Sequence, residues 1–377
     1  MDVLNTPYLS MGAQIDAFEE SIRQYLGCSF AIGVSSGTTG LHLCIRAAGI
    51  QEGDMVITTP FSFIASTNVI LYERAIPLFV DVDAKTGNIN AETVHQVVED
   101  LQQGGQYARR WLPRKGAETT GKLKGLLTVD VFGQPADYDA LTEIVQMNEL
   151  VMIEDSCEAL GAEFKGKKAG LFGDMAVFAF YPNKQMTTGE GGMIVTNDEK
   201  AAVFMQALRN QGRSAGDTWL QHTHMGYNYR LDEMSAALGL SQMRRLDELI
   251  QKRNRVASWY KLHLAQIQEI EIPYVAPETT RMSWFVYVVR IAPQLERETL
   301  ANMLEEEGIP VRPYFSPIHL QPYMVEKFGY QIGDFPVCED LGECGLALPF
   351  SSVMNEEQVA IVCEKIKICI AKMHTVT

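Results

Sequence analysis

Residues 177–196 read VFAFYPNKQMTTGEGGMIVT, in which two apolar runs enclose a polar turn that holds one lysine. Residues 177–180 and 193–195 are rich in aromatic and β-branched side chains, so both runs predict buried strands. Lys184 lies in the turn, and the glycines among residues 189–192 would let a ligand approach the backbone closely. A lysine held between buried strands is partly desolvated, which favours its neutral, nucleophilic form. The same pattern also fits an ordinary solvated lysine in a turn.

Asp155, which lies 29 residues before Lys184 in the chain, follows an apolar run at residues 150–153. This run predicts a buried strand with Glu154 and Asp155 at its carboxyl end, the edge of a parallel α/β sheet where ligands bind. Pyridoxal phosphate (PLP) chemistry requires such a pair, because an aspartate keeps the pyridine nitrogen protonated while a lysine forms the Schiff base. Alternatively, Asp155 would only cap a helix that follows it.

The small polar turn SSGTTG at residues 35–40 separates a predicted strand, residues 31–34, from a helical run. A strand, a turn and a helix in this order aim free backbone N–H groups at an anion, and the helix dipole assists them. We therefore assign the phosphate of the cofactor to this turn. The alternative is an ordinary capped helix start, because Ser and Thr are good N-caps.

The composition is ordinary for a globular protein, with 46% hydrophobic and 21% charged residues in a chain of 377, long enough for two domains. The formal net charge of −15 argues against nucleic-acid binding, which requires phosphates to be neutralised. The N-terminal residues lack the features of a signal peptide and no stretch is apolar enough to span a membrane, so we predict a cytoplasmic protein. The seven cysteines form an odd set without a CxxC pair, which indicates neither a metal site nor a disulfide framework.

Five motifs resemble those of the DegT/DnrJ/EryC1/StrS family, in the same order and spacing. They are SSGTTGLH (35–42), TTPFSFIAST (58–67), IEDSCEALGA (153–162), FYPNKQMTTGEGG (180–192) and MGYNYRLDEMSAAL (225–238). The family consists of sugar-nucleotide aminotransferases of PLP fold type I. The resemblance implies an aspartate aminotransferase-like α/β fold, with a large α/β/α domain around a mainly parallel sheet over residues 1–262. A smaller α+β domain would follow over residues 263–377.

The resemblance also implies a set of cofactor-binding residues at matched positions, namely Gly37, Thr38, Phe63, Asp155, Glu158, Lys184 and Asn228. Lys184 and Asp155 would be the catalytic pair. Phe63 would stack on the pyridine ring, although a phenylalanine here also fits a core position. Glu158 would lie close to the ring, where a glutamate favours amination at C4 of the sugar over C3. The chain departs from the family at Ala179, where many members have a serine that contacts the phosphate.

Two further expectations about the site come from the same resemblance. Asn228, with Arg230, belongs to a motif that extends from the neighbouring protomer in the family, which implies a homodimer with shared active sites. Ser10, Tyr181 and His319 match positions near the substrate, although a lone histidine is more often structural.

Residues 103–124 reverse the local sign of the charge. The segment contains one acid, Glu118, and six cations, namely Arg109, Arg110, Arg114, Lys115, Lys122 and Lys124. Arginines suit bidentate contacts to phosphate, so the segment could bind the diphosphate of a sugar nucleotide. We favour a solvated insertion, because charge runs usually face solvent. The charges of residues 244–255, within a long predicted helix, are likewise expected to face solvent.

These observations predict a PLP-dependent aminotransferase that moves an amino group, with glutamate as the expected donor, onto a nucleotide-linked keto-sugar of the 4-keto-6-deoxy type. The donor would leave pyridoxamine phosphate, and Lys184 would then move the proton between the cofactor and the sugar. A cyclitol aminotransferase and a non-catalytic regulator that keeps the fold stay open as alternatives. A sugar dehydratase of the same fold is disfavoured, because those enzymes replace the lysine that is present here.

Overall fold

The computed structural model describes residues 2–117 and 121–376 of the chain, and within those ranges it contains 14 strands and 13 α-helices. The strands are β1 (Phe30–Val34), β2 (Met55–Thr58), β3 (Ile76–Phe79), β4 (Leu123–Val129), β5 (Val151–Asp155), β6 (Glu163–Phe164), β7 (Lys167–Lys168), β8 (Met175–Ala179), β9 (Gly192–Thr196), β10 (Ile270–Glu271), β11 (Thr279–Arg281), β12 (Tyr287–Ile291), β13 (Arg312–Pro313) and β14 (Gly345–Leu348). The helices are α1 (Ala13–Leu26), α2 (Gly37–Ala47), α3 (Ala65–Tyr72), α4 (Ala91–Gln103), α5 (Gly105–Arg109), α6 (Tyr138–Met147), α7 (Glu199–Arg209), α8 (Glu233–Met243), α9 (Leu246–Leu264), α10 (Arg297–Glu306), α11 (Pro322–Phe328), α12 (Pro336–Cys344) and α13 (Glu356–Val376).

Seven strands form the central sheet in the order β1-β9-β8-β5-β4-β2-β3. The five strands from β8 to β3 run parallel, whereas β9 is antiparallel to both of its neighbours. The predicted α/β architecture with a mainly parallel sheet is therefore confirmed. Because β5 and β8 are adjacent, the strand that ends in Asp155 and the strand that leads to Lys184 reach the same edge of the sheet.

Helices cover both faces of the central sheet. On β8, Val177 packs in a core with α2, α3 and α7, whereas its neighbour Phe178 packs with α1, α8 and the start of α9. Helices α4 and α6 cover that second face beside β2 and β4. Successive side chains of a strand point to opposite faces, so strands covered on both sides read as continuous apolar runs, as residues 177–180 do.

A second sheet, in the order β10-β12-β14-β13, is wholly antiparallel and packs against α9, α10 and α13. Helix α9 takes part in two cores. Its residues Leu246 and Ile250 pack with the large-sheet helices, whereas Val256 and Tyr260 pack under the second sheet. The predicted boundary at residue 262 falls inside this helix, and the division into two domains stays a prediction.

Hydrogen bonds fasten the C-terminal part to the carboxyl edge of the central sheet. The carboxylate of Asp81 accepts bonds from the amides of Val337 at 2.9 Å and Cys338 at 2.8 Å, in the first turn of α12. The amide of Ile318 donates to the carbonyl of Pro60 at 2.8 Å. The segments that carry Phe63 and the C-terminal aromatics are therefore held side by side.

Within the described ranges, no helix combines the length and the apolar character that crossing a bilayer requires. The same residues contain no cluster of three acidic, histidine or cysteine side chains that could hold a metal ion.

Candidate active site

A cavity of about 910 Å³ opens at the carboxyl ends of the parallel strands. Its floor comes from the segments that follow β1, β5 and β8, and its outer wall from Tyr314, Phe315 and Tyr323 of the C-terminal part. Ligands of open α/β sheets bind at this edge. The cavity therefore lies at the edge of the sheet where we predicted the cofactor site from the sequence.

Lys184 lies in this cavity, on the loop between β8 and β9. Its side chain is 13% exposed, and Nζ lies 3.4 Å from Oε1 of Glu158. On another side, Nζ stands 3.8 Å from the ring centre of Phe285. The lysine is thus largely withdrawn from water, and the alternative of a solvated turn lysine is wrong.

Asp155 ends β5 and faces the cavity, where it is buried. Burial raises the pKa of its carboxyl group, and the nearby charge of Lys184 partly opposes that shift. The amide of Cys157 donates to Oδ1 at 3.2 Å. The next regular element after β5 is a strand rather than a helix, so the alternative of a helix cap for Asp155 is wrong.

The neighbouring acid, Glu154, points to the opposite side of the sheet. It accepts the amide of Gly170 at 2.8 Å, and burial raises its pKa to about 8. Alternation along the strand therefore gives the two acids different roles, and only Asp155 reaches the cavity.

Glu158 forms the third member of the charged group around the lysine. Its Oε2 accepts the amide of Phe132 at 2.9 Å, while Oε1 faces Lys184. Burial raises the pKa of this carboxyl group, and the positive charge of Lys184 offsets part of the effect. The side chain is held on both oxygens, so it stands in a fixed place beside the amine.

The turn before α2 is both a capped helix start and an opening to the cavity. Ser36 Oγ accepts the amide of Thr39 at 3.1 Å, and Thr39 Oγ1 accepts the amide of Ser36 at 3.0 Å. Gly37 and Thr38 line the cavity, and amides in the first turn of a helix have no acceptor within the helix. A β-carbon on Gly37 would lie 2.8 Å from Ala179 Cβ and from Cys157 Sγ, so only glycine allows this close approach.

Phe63 and Tyr181, the two aromatic residues that the resemblance assigns to the site, both line the cavity. Phe63 is 63% exposed in the single chain, whereas Phe61 is buried against Phe132 and Phe315. The exposed ring is thus available to a ligand, and the core interpretation applies to Phe61 instead. Tyr181 is also exposed at the cavity wall.

The prediction that His319 contacts the sugar is wrong for this structure. The ring is fully buried, with Nε2 at 2.9 Å from Oε1 of Glu339 and a T-shaped contact with the ring of Phe335. The neighbours Ile318 and Gln321 line the cavity, but His319 does not. Its role in this structure is to hold the C-terminal segments together.

Ser10 and Asn228 are exposed and do not line the cavity of their own chain. Ser10 pairs with Asp232, and Asn228 pairs with Asn210, each in a short β-bridge. The single chain thus does not bring these two residues to Lys184. The contribution of Asn228 to a neighbouring protomer stays a prediction.

None of the described cations in the basic segment lines the cavity. Arg110 pairs with Asp100, to which Trp111 Nε1 also donates at 2.6 Å. Arg114 Nη2 donates to Oδ1 of Asp334 at 2.6 Å. The diphosphate hypothesis has no support from this geometry, and the two arginines are half-exposed but ion-paired rather than freely solvated. Glu118 lies outside the described residues.

The residues present fit PLP. The buried carboxylate of Asp155 has room for a further donor, because Cys157 is its hydrogen-bond partner among the described residues. The amine of Lys184 stands in the same cavity, and a glycine-floored helix start is available for the phosphate.

Comparison with known proteins agrees with this geometry. The model of the DegT/DnrJ/EryC1/StrS aminotransferase family matches residues 1–367. The GDP-perosamine synthase of Escherichia coli O157:H7 is 34% identical over 95% of this chain and 90% of its own length. The putative pyridoxal phosphate-dependent aminotransferase EpsN of Bacillus subtilis (strain 168) is 33% identical over 97% of this chain and 89% of its own. The crystal structure of a DegT DnrJ EryC1 StrS aminotransferase from Brucella abortus matches with a TM-score of 0.86 at 27% identity, over 97% of this chain and 92% of that one. The chain therefore belongs to the DegT/DnrJ/EryC1/StrS family of PLP-dependent aminotransferases, enzymes of fold type I.

Proposed function

We propose that this protein transfers an amino group from glutamate to a keto-sugar carried by a nucleotide. The observation that carries the proposal is the withdrawn amine of Lys184, which shares a cavity of about 910 Å³ with the carboxylates of Asp155 and Glu158. The cavity is large enough for a sugar beside a cofactor. The name of the GDP-perosamine synthase supports a nucleotide-linked substrate.

In this proposal each residue of the group has one task. Bound PLP supplies an electron sink for the charge left when a proton is removed from carbon. Asp155 holds the ring nitrogen protonated, Gly37 and Thr38 hold the phosphate through their amides, and Phe63 covers a face of the ring. Nζ of Lys184 accepts the proton and later returns it.

We further propose that the substrate is a 4-keto-6-deoxy sugar. The support is Glu158, a residue type that the family resemblance associates with amination at C4. Its carboxylate is fixed by the amide of Phe132 and stands 3.4 Å from Nζ of Lys184. An anion held there would orient a hydroxyl or amine of the bound sugar relative to the lysine.

The proposal is tested by absorption spectroscopy and a substrate panel. The purified protein is expected to be yellow, and its band should shift when glutamate is added. GDP-, UDP- and dTDP-linked 4-keto-sugars are then assayed against scyllo-inosose as the cyclitol acceptor. Turnover of scyllo-inosose alone would replace the proposed substrate with a cyclitol, and a colourless protein, or a band indifferent to every amino donor, would favour the regulator.

A homodimer is also part of the proposal, and charge supports it. Among the described residues that line the cavity, Lys184 is the one cation, whereas Asp155, Glu158 and Glu190 contribute three carboxyl groups. The cofactor and a sugar nucleotide both carry phosphates, which require positive charge or amide donors. We propose that the second copy supplies Asn228 and Arg230.

Mixing two defective variants tests this arrangement. Lys184→Ala and Asn228→Asp should each be defective alone, because one lacks the amine and the other places a negative charge beside the phosphate. Random exchange of subunits should restore about a quarter of wild-type activity, since half the dimers are mixed and each has one intact site. Activity is measured after denaturation and refolding of the equimolar mixture.

The matched control is a mixture of Lys184→Ala with Asp155→Asn. Both residues line the cavity of the same chain, so no mixed dimer regains a complete site. If the mixture with Asn228→Asp stays as inactive as this control, Asn228 does not act across the dimer.

A further inference from the structure

Arg253 on α9 is a buried cation that has no carboxylate partner among the described residues. The residue is 5% exposed, and burial lowers the pKa of its guanidinium to about 10. Among the described residues, its hydrogen-bond acceptors are main-chain carbonyls. The expectation that the charges of residues 244–255 all face solvent is therefore wrong at this position.

The carbonyls belong to two separate segments. Nη1 donates to Trp284 at 2.9 Å and to Phe285 at 3.1 Å, in the segment that leads into β12. Nη2 donates to Lys184 at 2.8 Å, and more weakly to Asn183 at 3.4 Å, in the loop between β8 and β9. One planar guanidinium thus joins the lysine loop to the start of the second sheet.

The energetics of burial explain why this link is firm. An unpaired charge in the protein interior is costly unless hydrogen bonds replace its hydration. Here main-chain carbonyls accept hydrogen bonds from both Nη atoms, while Nε has no partner among the described residues. Displacing either segment would therefore leave the buried cation with still fewer hydrogen bonds. The fork geometry of arginine serves two groups at once, which a lysine ammonium at the same place would not reproduce.

The hydrogen bonds of Arg253 hold the groups that surround the Lys184 amine. Phe285, whose carbonyl Arg253 holds, presents its ring 3.8 Å from Nζ of Lys184, whose carbonyl Arg253 also holds. Both the backbone of the lysine and the aromatic surface against its amine are therefore fixed to the same group. The same Nζ also lies 3.4 Å from Oε1 of Glu158.

We propose that Arg253 is a positioning residue of the active site, which sets the place of the Lys184 amine by holding the main-chain carbonyls of Lys184 and Phe285 on one guanidinium. The proposal rests on the function proposed above, in which that amine reacts with the aldehyde of PLP. Arg253 touches neither cofactor nor substrate in this role.

The test measures covalent capture of PLP by the cofactor-free protein, without substrates. The Lys184 nitrogen displaces the aldehyde oxygen as water, and borohydride then reduces the C=N bond by delivering a hydride, with a proton from water. Peptide mapping by mass spectrometry gives the fraction labelled at Lys184 against time. Varying the PLP concentration separates the maximal rate from the half-saturating concentration.

Arg253→Lys is the informative variant, because it keeps the charge and most of the volume but loses the fork. We expect its maximal capture rate to fall about tenfold or more with little change in half-saturation, since misplacement of a reacting group slows reaction more than binding. The matched control is Arg255→Lys, two residues along the same helix and exposed, which should capture at the wild-type rate. Thermal unfolding and circular dichroism confirm that each variant is folded.

Each result either supports or overturns the positioning role of Arg253. Capture by Arg253→Lys at the wild-type rate would show that only a buried charge is needed, and equal slowing by Arg255→Lys would show a nonspecific effect of the helix. If Arg253→Lys does not fold, Arg253→Ala is assayed with added guanidinium ion, and failure of the ion to speed capture overturns the role. A wild-type protein without label at Lys184 would instead overturn the proposed function, and this role with it.

Discussion

Replacing Lys184 with alanine is expected to lower kcat/KM by about 10⁴-fold or more, or about 5.4 kcal/mol in the activation barrier. The side chain has two tasks in the proposed reaction, since it holds the cofactor and moves the proton. Its surroundings offer no substitute amine, because the described lining of the cavity contains no other cation and the carboxyl groups of Glu158 and Asp155 are buried acids. Steady-state kinetics with glutamate and the accepted keto-sugar measure the effect.

Two controls show that the loss belongs to the amine. Lys200→Ala removes an exposed lysine at the start of α7, and we expect it to leave the kinetics unchanged. Small primary amines added to Lys184→Ala should recover part of the activity, since the missing group is a base of small size. Full activity and an unchanged absorption band in Lys184→Ala would refute the assignment of this lysine.

Replacing Asp155 with asparagine is expected to reduce kcat/KM by about 10³-fold, or about 4 kcal/mol. Asparagine keeps the shape of the side chain but removes the charge that would hold the ring nitrogen protonated. Burial raises the pKa of Asp155, so the ionised carboxylate is costly to the fold without cofactor. At neutral pH, the melting temperature of the cofactor-free variant should therefore be equal to or above that of the wild type.

Reconstitution with an N-methylated PLP separates the role of Asp155 from that of its neighbour. The methylated ring carries a permanent positive charge, so it should restore part of the activity of Asp155→Asn. Glu158→Gln changes the other buried carboxylate beside Lys184, and the methylated cofactor should give it no benefit. Rescue of both variants, or of neither, would contradict the assignment of the ring nitrogen to Asp155.

The sequence allows prediction of those site residues whose position depends on a short stretch of neighbouring residues. Asp155 and Lys184 each adjoin a short apolar strand, and adjacent parallel strands bring such ends to one edge of a sheet. Gly37 could be placed because a strand, a polar turn and a helix have one common arrangement. Phe63 could be named because the resemblance gives it a matched position, and its ring is exposed whereas that of Phe61 is buried.

The parts that could not be predicted depend on contacts between distant segments. His319 has the same local sequence whether it faces a sugar or Glu339, and only the packing of Phe335 against it determines which. Phe285 and Arg253 reach Lys184 from far along the chain, and no periodicity marks either residue. From the sequence alone, a charged residue on a helix is predicted to face solvent, because the sequence does not show which carbonyls surround it.

Helix α9 has a mechanical consequence. It is continuous from Leu246 to Leu264, and it contributes apolar side chains to both cores. A stiff rod shared in this way resists hinge motion, because rotating one half of the molecule against the other would bend the helix or pull apart the bonds of Arg253. Access of a sugar to Lys184 is therefore controlled by loops and by whatever covers the entrance of the cavity. A hinge motion between the central sheet and the second sheet would not control it.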